Sequence, residues 1–111
     1  MMGNDPVIYK FCFYVPLEDA EDVKDAVFAA GAGTLGRYDR CAWQIRGEGQ
    51  FRPLEGSAPA RGKHHREEKV SELKVEMICP DECLQASIAA LKEAHPYETP
   101  AYEYWRVGGA V

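Results

Sequence analysis

The stretch His95-Pro96-Tyr97-Glu98-Thr99-Pro100-Ala101-Tyr102 joins a predicted helix to the last predicted strand. Pro96 lacks the backbone N–H that a helix needs and disfavours a helical conformation at His95, so the helix has to end there. Pro100 stiffens the chain before the strand. The connection is therefore rigid, and it carries an imidazole, two phenols and a carboxylate. Two interpretations stay open: a binding site and a structural corner.

Working outward, hydrophobic periodicity divides the chain into two β-α-β halves. Period-2 alternation predicts four strands, over residues 7–15, 41–46, 70–78 and 101–107. Helical periodicity predicts helices over 18–30 and from Asp81, which we expect to be an N-cap. Two such halves predict a ferredoxin-like βαββαβ sandwich of the α+β class, a four-stranded antiparallel sheet with both helices on one face. The other face lacks cover and carries aromatic residues, which favours an oligomer.

Length and composition limit the number of domains and the kinds of partner. The 111 residues fit a single domain, 1–111, with flexible ends at about 1–6 and 108–111. A net charge of -5 argues against nucleic acid as a partner, and no apolar run approaches the roughly 20 residues of a membrane span. With no leader-like N-terminus, the four cysteines are interpreted as reduced thiols, and we expect a cytoplasmic protein.

Residues 47–69 form a predicted long loop between the two halves. The stretch is rich in glycine and proline and ends in a charged run containing His64 and His65. Adjacent imidazoles can bind a metal weakly, and the neighbouring cations could attract a phosphate. The alternative is a solvated charged loop. Irregular segments of this length within a compact domain tend to be functional or held by a partner.

Other motifs give weaker signals. The G-x-G-x-x-G string at 31–36 follows a helix instead of opening one, so it predicts a helix cap and turn, not a dinucleotide site. Cys79 and Cys83 lack the second cysteine pair of a structural zinc site. His95 and Glu98 could bind a cation or act as an acid–base pair, or His95 could simply cap the helix. No catalytic triad or phosphate loop can be specified, and we expect no enzyme activity.

Four strings, in order, carry a family resemblance: Gly36-Arg37-Tyr38-Asp39-Arg40-Cys41, Gly47-Glu48-Gly49-Gln50-Phe51-Arg52-Pro53, Val70-Ser71-Glu72-Leu73-Lys74-Val75-Glu76 and Ala94-His95-Pro96-Tyr97-Glu98. The chain resembles the domain inserted in some bacterial members of the Nif-three-like family (NGG-one interacting factor three), which also exists as stand-alone proteins. The resemblance implies a fold similar to PII signalling proteins and CutA, which are commonly trimers; in PII, small ligands bind in clefts between subunits. The parent family's dinuclear metal site lies in flanking halves, so its cyclohydrolase label is not implied.

The prediction is a non-enzymatic, oligomeric PII/CutA-like domain, a homotrimer by resemblance, that binds a small molecule, metal ion or protein at inter-subunit clefts near residues 95–98. The alternatives are an assembly module without ligand and, ranked last, a metal-dependent nucleotide hydrolase. The predicted ligand-binding residues are His95, Tyr97, Glu98, Tyr38, Gly47, Gly49 and Phe51. The predicted metal ligands, for a divalent ion, are His95, Glu98, His64 and His65. Arg61 and Thr99 depart from the family pattern, where an aliphatic residue and a second glutamate are expected.

Overall fold

The fold is described for residues 6–109 of a computed structural model, and most of the two ends predicted to be flexible lies outside this range. A 3-10 turn at Leu17–Asp19 precedes the first helix. The elements follow in the order β1 (Ile8–Pro16), α1 (Ala20–Ala29), β2 (Trp43–Phe51), β3 (Glu68–Pro80), α2 (Asp81–Ala94) and β4 (Tyr102–Val107). The two predicted β-α-β halves are confirmed.

The four strands form one antiparallel sheet in the order β2-β3-β1-β4. Phe11 of β1 lies opposite Met77 of β3 on one side and Tyr104 of β4 on the other, and alternate residues from there point to the same face. This face packs against both helices. Its fully buried core joins these side chains of the sheet to those of the helices: Phe11, Phe13, Val15, Val75, Val23, Val27 and Leu91. The predicted ferredoxin-like α+β sandwich is therefore confirmed.

The second strand is longer than its predicted range. It begins at Trp43 and continues to Phe51, through residues that were predicted to be loop. Gly47 and Gly49 suggested a break, but they lie opposite Glu72 and Val70 in a regular ladder with β3. Backbone pairing along the extended β3 outweighs the weak strand propensity of glycine here. The loop between the halves therefore spans only residues 52–67.

The start of α2 also differs from the prediction. Pro80 occupies the N-cap position, and Asp81 is the first residue of the helix. The backbone N–H of Asp81 donates to the carbonyl of Val7 at 3.0 Å, so contact with the chain before β1 serves one of the free N–H groups of the first turn. Asp81 and Glu82 still place negative charge where the helix dipole favours it.

The face of the sheet away from the helices is called the open face. Strand register places Trp43, Ile45, Lys74, Glu76 and Trp105 on it. Trp43 and Ile45 are 61% and 53% exposed, and Trp105 is 44% exposed. The open face therefore carries both tryptophans of the chain, whereas Tyr9, Phe11, Phe13 and Tyr102 lie on the helix side.

Within residues 6–109, no helix has the length and apolar character needed to cross a membrane.

The turn after α1 gives a stability prediction. Gly31 has a φ of +110°, and a Cβ there would lie 2.5 Å from Sγ of Cys83. We expect Gly31→Ala to lower the free energy of unfolding by about 2 kcal/mol, because alanine suffers both backbone strain and overlap. Gly36→Ala is the matched control, since its φ is +59° and a Cβ would meet no atom within 4 Å. Urea unfolding of both variants checks this, and equal losses would contradict the contribution of Cys83.

Candidate functional site

A pocket of about 380 Å³ opens between the connection that leaves β2 and the connection that follows α2. It is called the HPYE pocket, because Tyr97 and Glu98 of the His95–Glu98 string form part of its wall. Its lining residues are Tyr14, Gly49, Gln50, Phe51, Pro53, Ser57, Pro59, Ala60, Arg61, Glu72, Tyr97, Glu98, Thr99 and Ala101. The wall is mainly apolar, which is typical of small-molecule sites.

Tyr97 lines the pocket and contacts two other residues of its wall. Its hydroxyl donates to Oε2 of Glu72 at 3.2 Å, and its ring lies 5.6 Å from that of Phe51, centroid to centroid. The carboxylate of Glu72 rests so close to Gly49 that a Cβ at that position would overlap it. Gly49 is thus needed for the close approach of this carboxylate, a role that glycine commonly fills in strands.

The loop over residues 52–67 is held by contacts within the chain. The N–H of Ala58 donates to Oε1 of Glu98 at 3.0 Å, and the N–H of His65 donates to the carbonyl of Pro53 at 2.6 Å. Arg61, one of the two departures from the family pattern, forms an ion pair with Glu18. The loop therefore forms a wall of the HPYE pocket with several fixed points.

His95 ties the end of α2 to the end of β1. Its ring accepts a hydrogen bond at Nδ1 from the N–H of Tyr97 at 3.1 Å. The other nitrogen, Nε2, therefore carries the proton and donates to the carbonyl of Tyr14 at 2.7 Å. The residue is 6% exposed and does not line the pocket. His95 thus serves as a corner, whereas the two residues that follow Pro96 form part of the pocket wall.

The surroundings of Tyr97 disfavour ionisation of its phenol. Burial and the neighbouring carboxylate of Glu72 raise the pKa of Tyr97 to about 12, and Glu18 adds to the effect. The guanidinium of Arg61 acts in the opposite direction, more weakly than burial and Glu72. Forming a phenolate there is therefore unfavourable near neutral pH.

The structure brings together some of the predicted ligand-binding residues and separates others. Tyr97, Glu98, Gly49 and Phe51 all line the HPYE pocket. Gly47 lies on β2 outside its lining. Tyr38 is 75% exposed and lies in the turn after α1. The N–H of Gly33, in the same turn, donates to the carbonyl of Ile78, near the end of β3 that is remote from Glu72 and the pocket.

The predicted metal ligands do not form one cluster. Both nitrogens of His95 are hydrogen-bonded within the chain, and Nε2 of His64 lies 2.9 Å from the carbonyl of Ser57. In the part of the chain that the structure describes, no three His, Cys, Asp or Glu side chains are grouped so as to hold a metal ion. Metal binding by His95, Glu98, His64 and His65 therefore has no support from this grouping and stays a prediction.

Two pocket residues, Tyr14 and Glu72, lie outside both stretches that the sequence singled out, residues 47–69 and 95–102. Each looks like an ordinary open-face residue of an alternating strand, and each reaches the pocket through the strand register. The signal that could have revealed Glu72 is its position opposite Gly47 and beside Gly49 on the neighbouring strand, where the missing side chain of Gly49 leaves space for its carboxylate.

The fold defines the chain as a CutA-like α+β domain. A crystal structure of the divalent ion tolerance protein CutA1 from Ehrlichia chaffeensis superposes with a TM-score of 0.67, covering 96% of this chain and 86% of that one, at 15% identity. A Bacillus cereus protein related to NIF3 superposes with a TM-score of 0.80 at 33% identity, covering 95% of this chain and 27% of that one. The chain matches no protein-family model.

Curated relatives contain a segment similar to this chain. The chain is 44% identical over 94 residues to a "GTP cyclohydrolase 1 type 2 homolog" of Mycobacterium tuberculosis, covering 85% of this chain and 25% of the relative. The predicted resemblance is confirmed: the chain is homologous to one segment of Nif-three-like proteins. It spans about a quarter of the length of these relatives.

Proposed function

We propose that this chain is a non-enzymatic, oligomeric PII/CutA-like domain that binds a small ligand in the HPYE pocket. The observation that carries the proposal is the pocket itself, where the Tyr97–Glu98 segment meets the Gly49–Arg61 segment around about 380 Å³ of space. Pockets of small-molecule ligands span roughly 300–1,000 Å³, so this volume suits a small ligand. The homotrimer inferred from the resemblance would bring further chains to the open face.

The second candidate is an assembly module without a ligand. The corner role of His95 favours it, since this residue is explained by hydrogen bonds to Tyr14 and Tyr97 alone. The exposed tryptophans of the open face favour it as well. The name of the mycobacterial relative raises a cyclohydrolase as a third candidate, but it belongs to a protein more than three times as long. Turnover of GTP by this chain alone would contradict our proposal of a non-enzymatic domain.

A fragment screen tests the pocket. We expect at least one small fragment to shift the amide resonances of Gly49, Ala58 and Thr99 in ¹⁵N-labelled protein, because these residues belong to or adjoin the pocket wall. Gly49→Ala should weaken that binding about ten-fold, because its Cβ displaces the carboxylate of Glu72.

Gly47→Ala is the matched control, on the same strand and face, where a Cβ meets no atom within 4 Å. Its affinity for the fragment should equal that of the original chain. A screen of several hundred fragments without any pocket response would instead support the assembly module. Native mass spectrometry of untagged protein, purified without metal affinity, would show in parallel whether the chain is a trimer and whether it carries a bound mass.

A further inference from the structure

The HPYE pocket is lined by more negatively charged than positively charged side chains. Two carboxylates line it, those of Glu72 and Glu98, against one cation, Arg61. The guanidinium of Arg61 is already paired with Glu18. A ligand that enters the pocket therefore meets an excess of negative charge, which opposes an anion and favours a cation.

Glu72 has further capacity to accept hydrogen bonds. An ionised carboxylate offers about four acceptor sites, and the hydroxyl of Tyr97 uses one of them at Oε2. The other oxygen lies against Gly49 at the pocket wall. Within residues 6–109 this hydroxyl is the one side-chain donor to the carboxylate, so its remaining acceptor capacity can take N–H groups of a ligand.

The remaining wall suits the body of an organic cation. Tyr14, Phe51 and Tyr97 contribute aromatic rings, and Pro53 and Ala101 contribute apolar surface. Aromatic faces attract ammonium and guanidinium-like groups, more strongly where water is excluded. The C-terminal end of α2, which carries partial negative charge, lies at His95, two residues before Tyr97.

The raised pKa of Tyr97 reflects burial, which opposes a charge of either sign, together with Glu72, which opposes negative charge only. Burial and Glu72 make the phenolate unfavourable, so the surroundings already oppose one negative charge at the pocket wall. A carboxylate or phosphate of a ligand beside Tyr97 would meet the same burial and the same neighbouring charge.

We infer that the HPYE pocket selects small organic cations, namely an ammonium or amidinium group on an apolar or aromatic body. This rests on the proposed function, that the pocket binds a small ligand. The cationic group donates to Glu72, and the body packs against the rings of Phe51 and Tyr97, which already contact each other. Anionic ligands such as nucleotides are excluded by the same residues.

Three probes of nearly equal shape test the inference: benzamidinium, neutral benzamide and anionic benzoate. Each is titrated into ¹⁵N-labelled protein at pH 7, and the amides of Gly49, Ala58 and Thr99 are followed. We expect benzamidinium to bind at least about ten-fold more tightly than benzoate, the difference that a hydrogen bond between charged groups provides. Glu72→Gln keeps the shape of the side chain and should reduce this preference about ten-fold.

Glu76→Gln is the matched control, because Glu76 lies on the same strand and face, outside the pocket lining, beside Lys74. Its preference for benzamidinium should be unchanged. Equal or tighter binding of benzoate, or an unchanged preference in Glu72→Gln, would overturn the inference while the proposed ligand-binding function stands. If no probe shifts these amides, the inference fails, and the broader fragment screen decides whether the proposed function fails with it.

Discussion

Replacing His95 with alanine is expected to lower the free energy of unfolding by about 2–4 kcal/mol. The imidazole is nearly fully buried and hydrogen-bonded at both nitrogens to the backbone. Its removal leaves the carbonyl of Tyr14 and the N–H of Tyr97 without these partners and opens a cavity at the end of α2. Urea or thermal unfolding followed by circular dichroism measures the loss.

Glu93→Ala is the control for this prediction, since Glu93 lies in the same last turn of α2 and is exposed. Its effect should stay within about 0.5 kcal/mol, as for most surface substitutions. His95→Ala should also weaken ligand binding, because Tyr97 loses the contact that holds its backbone. A variant that keeps full stability but loses ligand affinity would show that His95 contacts the ligand directly, and the corner role would be wrong.

The fold could be predicted from the sequence because its elements follow from strong local signals. Alternation places Phe11 and Phe13 on the core face of β1, and Pro96 fixes the end of α2 within one residue. The length of β2 could not be predicted in the same way. Gly47 and Gly49 read as turn residues along the chain, and only pairing with β3 shows that they belong to a strand.

The site was only partly predictable, for a physical reason. The string around Tyr97 and Glu98 is local and was found, and so was the glycine-containing end of β2. Tyr14 and Glu72 reach the pocket through register between strands that are far apart in sequence, which no local pattern reveals. The ordering of the loop likewise depends on a long-range contact, from Ala58 to Glu98, that is 40 residues apart in the chain.

The second large predicted effect concerns a substitution on the open face. Ile45 is 53% exposed beside Trp43, and an oligomer that covers this face would bury both side chains. We expect Ile45→Glu to raise the dissociation constant of the oligomer at least about 100-fold, because an interface charge would have to be desolvated. Sedimentation velocity at micromolar concentration should then show a monomer in place of the proposed trimer.

The Ile45→Glu substitution should affect assembly without affecting the folding of the single chain. Ile45 lies opposite Lys74, so a glutamate there gains an oppositely charged cross-strand neighbour and should leave the single chain stable. Tyr38→Glu is the control, since Tyr38 is even more exposed but lies outside the sheet, in a turn after α1. If Ile45→Glu keeps the oligomeric state of the original chain, the open face is not the interface. If the original chain is already monomeric at these concentrations, the proposal of an oligomeric domain is wrong, and the exposed tryptophans would have to meet a different partner.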